Sequence, residues 1–126
     1  MCEGPELITT SGTILTSPGY SMGNYPSNKN CETLVLFEEK TFVRLDFLDA
    51  YNIRFSTNCN YNFIEIRNGR NESSPLVMKA CDTNRPYPLT LQGNSALIRF
   101  GSDHTYGRKG FKLKATQVAD VNCKYL

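Results

Sequence analysis

The stretch that decides the fold runs from residue 41 to residue 48 and reads TFVRLDFL. Apolar and polar side chains alternate along it: Val43, Leu45 and Phe47 belong to one set, and Arg44 and Asp46 to the other. Successive side chains of a β-strand point to opposite faces of the sheet, so this pattern predicts a strand with one buried face. Residues 95–100 and 110–117 repeat the pattern, which predicts one drier and one wetter face for each of these strands.

Shorter strands are predicted at 12–16, 33–37, 61–67, 76–80 and 89–92. Glycine, proline and asparagine occupy the segments between them, as tight turns require. No long segment carries apolar residues at helical spacing. Eight or more short strands with regular turns favour an all-β fold, an antiparallel β-sandwich of jelly-roll type.

Composition limits what such a domain does. A chain of 126 residues has room for one core, and its net charge of +2, from 14 basic and 12 acidic residues, is too balanced to predict nucleic-acid binding. The longest apolar runs are too short to span a bilayer, so no direct membrane insertion of this segment is expected. The opening residues lack the basic start and apolar core of a signal peptide, and we expect a mature segment behind an added initiator.

Cysteines stand at positions 2, 31, 59, 81 and 123, which leaves two disulfides plus one thiol, or five reduced thiols. The chain has no C-x-x-C pair and one histidine, so a structural zinc site has little support and disulfides are favoured. The sequon at Asn71, Asn-Glu-Ser, lies in a polar, turn-like segment and is a candidate for glycosylation. Both features favour a secreted protein.

Several motifs occur in a fixed order. They are GTILTSPGY at 12–20, NYPSN at 24–28, Cys31, TNCNYNFIEIRNG at 57–69, Cys81, IRFGSD at 98–103 and Gly110-Phe111. This ordered set resembles the CUB domain family over residues 2–118, with 119–126 as a C-terminal tail or the start of a following module. The resemblance implies a jelly-roll β-sandwich, an extracellular location, and disulfides Cys2–Cys31 and Cys59–Cys81. Cys123 then remains unpaired, pairs within a following module or forms an interchain bond.

The resemblance also implies where calcium would bind, because many family members hold one ion at an edge of the sandwich with three carboxylates and a nearby tyrosine. The matching positions here are Arg54, Asn62, Asp103 and Tyr25. Two of the three acids are missing, and a guanidinium repels a divalent cation, so we expect no metal and no cofactor. Arg54 either replaces the ion by pairing with Asp103 and Asn62, or is a solvated surface charge.

Catalysis is not expected. His104 is the only histidine, and the chain has no nucleophile elbow or metalloprotease helix motif. The family resemblance instead implies a non-catalytic module of a larger secreted or cell-surface protein, which binds an extracellular protein through loops. The residues expected to contact that partner are Tyr25, Arg54, Asp103, His104 and Tyr106.

Two alternatives stay open. Arg108, Lys109, Lys112 and Lys114 form a local basic cluster that would suit an acidic glycan such as heparin, although lysines on an outward strand face are more often simply solvated. The domain would equally serve as an accessory domain of an extracellular protease.

Overall fold

A computed structural model describes residues 1–2 and 6–119, which contain nine β-strands and two short 3₁₀ turns. The strands are β1 (Leu7–Ile8), β2 (Thr13–Thr16), β3 (Asn30–Leu36), β4 (Thr41–Asn52), β5 (Phe63–Arg67), β6 (Leu76–Ala80), β7 (Leu89–Leu91), β8 (Ser95–Gly101) and β9 (Gly110–Ala119). The 3₁₀ turns are Tyr20–Met22 and Thr57–Cys59. No helix within the described ranges is long and apolar enough to cross a membrane.

The strands form two sheets that pack face to face as a β-sandwich, which confirms the predicted fold class. The order is β1-β3-β8-β5-β6 in the five-stranded sheet and β2-β9-β4-β7 in the four-stranded sheet. Neighbours are antiparallel except β1 and β3, which are parallel. Sequence patterns missed β1, because a strand of two residues is too short to show any alternation.

The core lies between the sheets and follows the predicted alternation. Val43, Leu45 and Phe47 are buried on β4, opposite the inward-facing Ile98 and Phe100 of β8. The prediction of a solvent-exposed outer face is wrong for β8, because the outward-facing Leu97 is also buried. β8 is the middle strand of its sheet, and Leu97 is flanked there by its register partners Leu34 of β3 and Arg67 of β5.

Both predicted disulfides are confirmed. Cys2 is bonded to Cys31, and Cys59 is bonded to Cys81, so the segment before β5 is joined to the end of β6. In the chain-entropy model, a disulfide that closes a loop as long as the one between Cys59 and Cys81 stabilises a domain by about 3 kcal/mol. Cys123 lies outside the described residues, as does the rest of the tail beyond residue 119.

Candidate functional site

Four connections meet at one end of the sandwich: residues 17–29, 53–62, 81–88 and 102–109. We refer to this end as the loop edge. Hydrogen bonds tie the first connection to the last: the Asn28 amide donates to the Asp103 carbonyl at 2.8 Å, and the Ser102 hydroxyl donates to the Pro26 carbonyl at 2.8 Å. Ile53 and Asp82 join the middle two connections through reciprocal backbone bonds of 2.9 and 2.7 Å. The loop edge is therefore a cross-braced surface.

Tyr25 is buried beneath the loop edge and holds its backbone in place. Its side chain is only 2% exposed, and burial raises the pKa of its phenol, which therefore stays neutral. The phenol oxygen accepts a hydrogen bond from the Arg54 amide at 3.0 Å, and the Tyr25 amide donates to the Arg108 carbonyl at 2.9 Å. A Cβ at Gly107 would collide with the Tyr25 carbonyl, so glycine permits this close approach. Tyr25 thus acts as a positioning residue, and Arg54 and Arg108 are both held through it.

Arg54 braces the last connection. Its Nε and one Nη donate to the Tyr106 carbonyl at 3.3 and 3.2 Å. Of the two roles considered for Arg54, the pairing with Asp103 does not form, since no ion pair joins these two described residues. A guanidinium that donates twice to one carbonyl oxygen orders the loop without neutralising the charge of the arginine.

Asp103 turns instead toward its own loop. The Thr105 hydroxyl and the Thr105 amide, the latter at 3.0 Å, both donate to one carboxylate oxygen of Asp103. The hydrogen bond from the Thr105 hydroxyl is the main cause that lowers the pKa of Asp103, and slight burial opposes it. Asp103 therefore closes a short turn, which explains why it does not reach Arg54.

Asn62 is buried directly before β5, with 1% of its surface exposed. It lies close enough to Asp103 to lower the pKa of that carboxyl, yet neither of its amide atoms has a partner at hydrogen-bond distance and angle among the described residues. Any bond between the two is therefore weak. An unsatisfied buried amide costs free energy, so this position carries a local penalty.

The sequence of the chain matches a known protein family. The model of the CUB domain matches residues 2–114, most of the chain. The chain belongs to the CUB domain family. Cubilin of the dog is 34% identical over 115 residues, which are 90% of this chain and 3% of cubilin. Human neuropilin-2 is 36% identical over 112 residues, which are 88% of this chain and 12% of that protein.

Solved structures agree with the family assignment. The CUB1-EGF-CUB2 domain of human MASP-1/3 is 28% identical with a TM-score of 0.79, covering 89% of this chain and 41% of that one. The MASP-1 CUB2 domain, described as bound to Ca²⁺, is 29% identical with a TM-score of 0.78, and the match covers 88% of this chain and 96% of that one. This CUB domain therefore spans a small part of its long relatives and nearly all of a single-domain one.

The loop edge of this CUB domain does not fit a calcium ion. Calcium takes six to eight oxygen ligands with carboxylates among them. Of the three positions that match the acids of calcium-binding family members, only Asp103 carries a carboxylate here. Thr105 already donates to one of its oxygens. The Tyr106 carbonyl is taken by the guanidinium of Arg54, and no cluster of three metal-ligating side chains occurs among the described residues.

The surface of the loop edge carries side chains of mixed character. Among the five predicted contact residues, His104 and Tyr106 are exposed, Tyr106 at 90%, whereas Tyr25 is buried and presents almost no surface to a partner. Sequence reasoning missed Phe55, which is 70% exposed beside Arg54. The available signal was a phenylalanine in a polar stretch, Arg-Phe-Ser-Thr-Asn, that breaks the strand alternation.

The predicted basic cluster is divided by the fold. Arg108 lies at the loop edge. The Nζ of Lys109 donates to the Tyr20 carbonyl at 2.8 Å and lies 4.1 Å from the centre of the Tyr20 ring. Lys112 pairs with Asp49 at 3.0 Å, and Lys114 is exposed on the outer face of β9. Two of the four cations therefore already have partners.

Asn71 lies in the exposed turn between β5 and β6. Its side-chain oxygen accepts hydrogen bonds from the Ser73 amide at 3.1 Å and the Ser73 hydroxyl at 2.6 Å. The sequon is thus accessible and lies away from the loop edge, so its glycosylation remains a prediction that leaves the loop edge free.

Proposed function

We propose that this CUB domain is a non-catalytic, extracellular protein-binding module of a larger secreted or cell-surface protein, and that it contacts its partner through the loop edge. Family membership supports an interaction module in general, and two disulfides are typical of an oxidising, extracellular location. No catalytic and no metal-dependent step is part of this proposal.

The observation that carries the proposal is the combination of a braced backbone with exposed contact side chains. Tyr25, Arg54 and Gly107 hold the loops in one arrangement, so little ordering entropy is lost on binding. Tyr106 and Phe55 supply large contact area, and exposed aromatic residues are enriched at protein interfaces.

The test is a binding screen of the oxidised domain against cell-surface proteins, with and without calcium, followed by single substitutions. We expect Tyr106→Ala to weaken the selected partner about tenfold or more, as an interface anchor does. The matched control is Leu76→Ala, because Leu76 is a large apolar side chain that is 52% exposed and lies at the start of β6, outside the loop edge.

A partner whose affinity is unchanged by substitution of Arg54, Asp103, His104 and Tyr106 would remove the loop edge from consideration. The alternative function, binding of an acidic glycan, is disfavoured by the partners that Lys109 and Lys112 already have. Retention on heparin at physiological salt, abolished by substitution of Lys112 and Lys114, would favour it over protein binding.

A further inference from the structure

A cleft of about 310 Å³ opens at the loop edge between two of its connections. It is lined by residues 52–55 on one side, by Asp82 and Thr83 on the other, and by Arg108 from the last connection. We call it the arginine cleft, after Arg54 and Arg108.

Neither guanidinium in the arginine cleft is neutralised. Among the described residues, no carboxylate lies within 4.0 Å of Arg54 or of Arg108. Arg108 is exposed, and its side chain makes no hydrogen bond to any residue that the structure describes. Two unpaired cations on one cleft are complementary to an anion.

Neither of the two nearby carboxylates forms an ion pair with Arg54 or Arg108 in the part of the chain that the structure describes. Asp82 lines the cleft, but its side chain accepts the Asn84 amide at 2.6 Å and closes the turn after β6. Asp103 accepts both Thr105 donors and does not line the cleft. The cleft is therefore lined by one carboxylate and two arginines, and the excess positive charge is complementary to an anion supplied by a partner.

The side chain of Arg54 and the backbone of Arg108 are both held in place by hydrogen bonds. Arg54 uses two donors on the Tyr106 carbonyl, and a guanidinium has five, so three remain. The backbone of Arg108 is fixed by the Tyr25 amide. Planar guanidinium donors match the geometry of a carboxylate, and the fixed position of the Arg54 guanidinium reduces the entropy lost on binding.

Apolar surface adjoins these charges. Phe55 lines the cleft and is largely exposed, and Ile53 forms its buried wall. A ligand that combines a carboxylate with an apolar neighbour fits this surface better than a uniformly charged chain does. That combination is typical of an acidic peptide segment and differs from a repeating sulfated glycan.

We propose that the arginine cleft binds a glutamate or aspartate side chain of the protein partner, between Arg54 and Arg108, with an apolar partner residue against Phe55. This inference rests on the proposed function, because it names the chemistry of the partner at the same loop edge.

The test uses two short peptides that differ at one position, acetyl-Gly-Phe-Glu-Gly-amide and its lysine counterpart, added at millimolar concentration to the ¹⁵N-labelled oxidised domain. We expect the glutamate peptide to shift the backbone amide signals of residues 52–55 and 106–108, and the lysine peptide to leave them unchanged. Arg108→Glu should weaken the glutamate peptide about tenfold or more, since like charges in contact are strongly unfavourable.

Lys114→Glu is the matched control, because it changes the net charge equally on an exposed strand face outside the cleft. It should alter affinity less than about twofold in physiological salt. Asp82→Asn should strengthen binding, since it removes the one carboxylate that lines the cleft. Dispersed amide spectra of each variant establish that it is folded.

Equal binding of the lysine peptide, equal effects of Arg108→Glu and Lys114→Glu, or absence of shifts in the cleft would each overturn the acidic-ligand inference. The proposed function has a separate readout. If the partner found in the screen is weakened by Tyr106→Ala but unaffected by Arg108→Glu, the loop edge is retained and only the acidic ligand is rejected.

Discussion

Glu65 is the position where a single substitution should test the energetics of the fold most directly. It lies on β5 with 5% of its surface exposed, facing away from the core. Its carboxylate accepts hydrogen bonds from Arg67 Nε and from Arg99 Nη1, each at 3.1 Å. Register places Glu32, Arg99, Glu65 and Lys79 side by side on β3, β8, β5 and β6, so opposite charges alternate across four strands.

Glu65→Gln keeps the shape of the side chain and removes its charge. Removing one partner of a buried ion pair costs about 3 to 5 kcal/mol. The loss should be smaller here, about 2 kcal/mol, because the side chains of Arg67 and Arg99 remain 22% and 19% exposed and Arg99 still lies 3.3 Å from Glu32. That Arg99–Glu32 contact lacks hydrogen-bond geometry, so it compensates only in part. For a domain of this size the melting temperature should fall by about 8 °C.

The pH dependence gives a second readout. Burial acts to raise the pKa of Glu65, but hydrogen bonds from Arg67 and Arg99 outweigh it and the pKa is lowered. A depressed folded-state pKa stabilises the fold above the unfolded-state value of about 4.3, and this contribution is lost as the pH falls through the folded-state value. The stability gap between wild type and Glu65→Gln should therefore be constant near neutral pH and close in acid.

Urea unfolding followed by circular dichroism measures both quantities. Glu72→Gln is the matched control on the rim of the same network, where Glu72 is 68% exposed and 3.7 Å from Arg99, and it should cost less than about 1 kcal/mol. The reasoning would be refuted if Glu65→Gln were no more destabilising than Glu72→Gln, or if the gap persisted unchanged in strong acid.

Two further predictions concern the loop edge and the surface. Neither calcium nor EDTA should change the melting temperature of the wild type, because no cluster of three metal-ligating side chains occurs among the described residues. Arg54→Ala should lower the melting temperature by about 3 °C through loss of the bonds to Tyr106. A calcium-dependent rise in the melting temperature of the wild type would contradict the first of these expectations. Secretion from eukaryotic cells should yield a glycosylated form, since the sequon is exposed, and an N-glycosidase should convert it to a form with the same gel mobility as Asn71→Gln. Equal gel mobility of wild type and Asn71→Gln before enzyme treatment would show that Asn71 is unmodified.

Much of the fold could be predicted because it is recorded in local patterns. The alternation at 41–48 correctly predicted which β4 residues face the core, and the ordered motifs correctly implied both disulfides. The candidate site was predicted less well. The resemblance indicated Arg54 and Asp103 as neighbours at one edge, but the pairing considered as one of two alternatives does not form, because Thr105 satisfies Asp103 locally.

The sequence by itself determined the β-sandwich, its core faces and its cysteine framework, because side-chain alternation and motif order are properties of the chain alone. Only the tertiary structure decided that Tyr25 is buried beneath the loops, that Arg54 donates to Tyr106, and that Glu65 lies between two arginines. These contacts join residues 29 to 52 positions apart, apart from the Glu65–Arg67 bond. They depend on strand register and loop packing, and a shift of one residue would exchange every partner across the sheet.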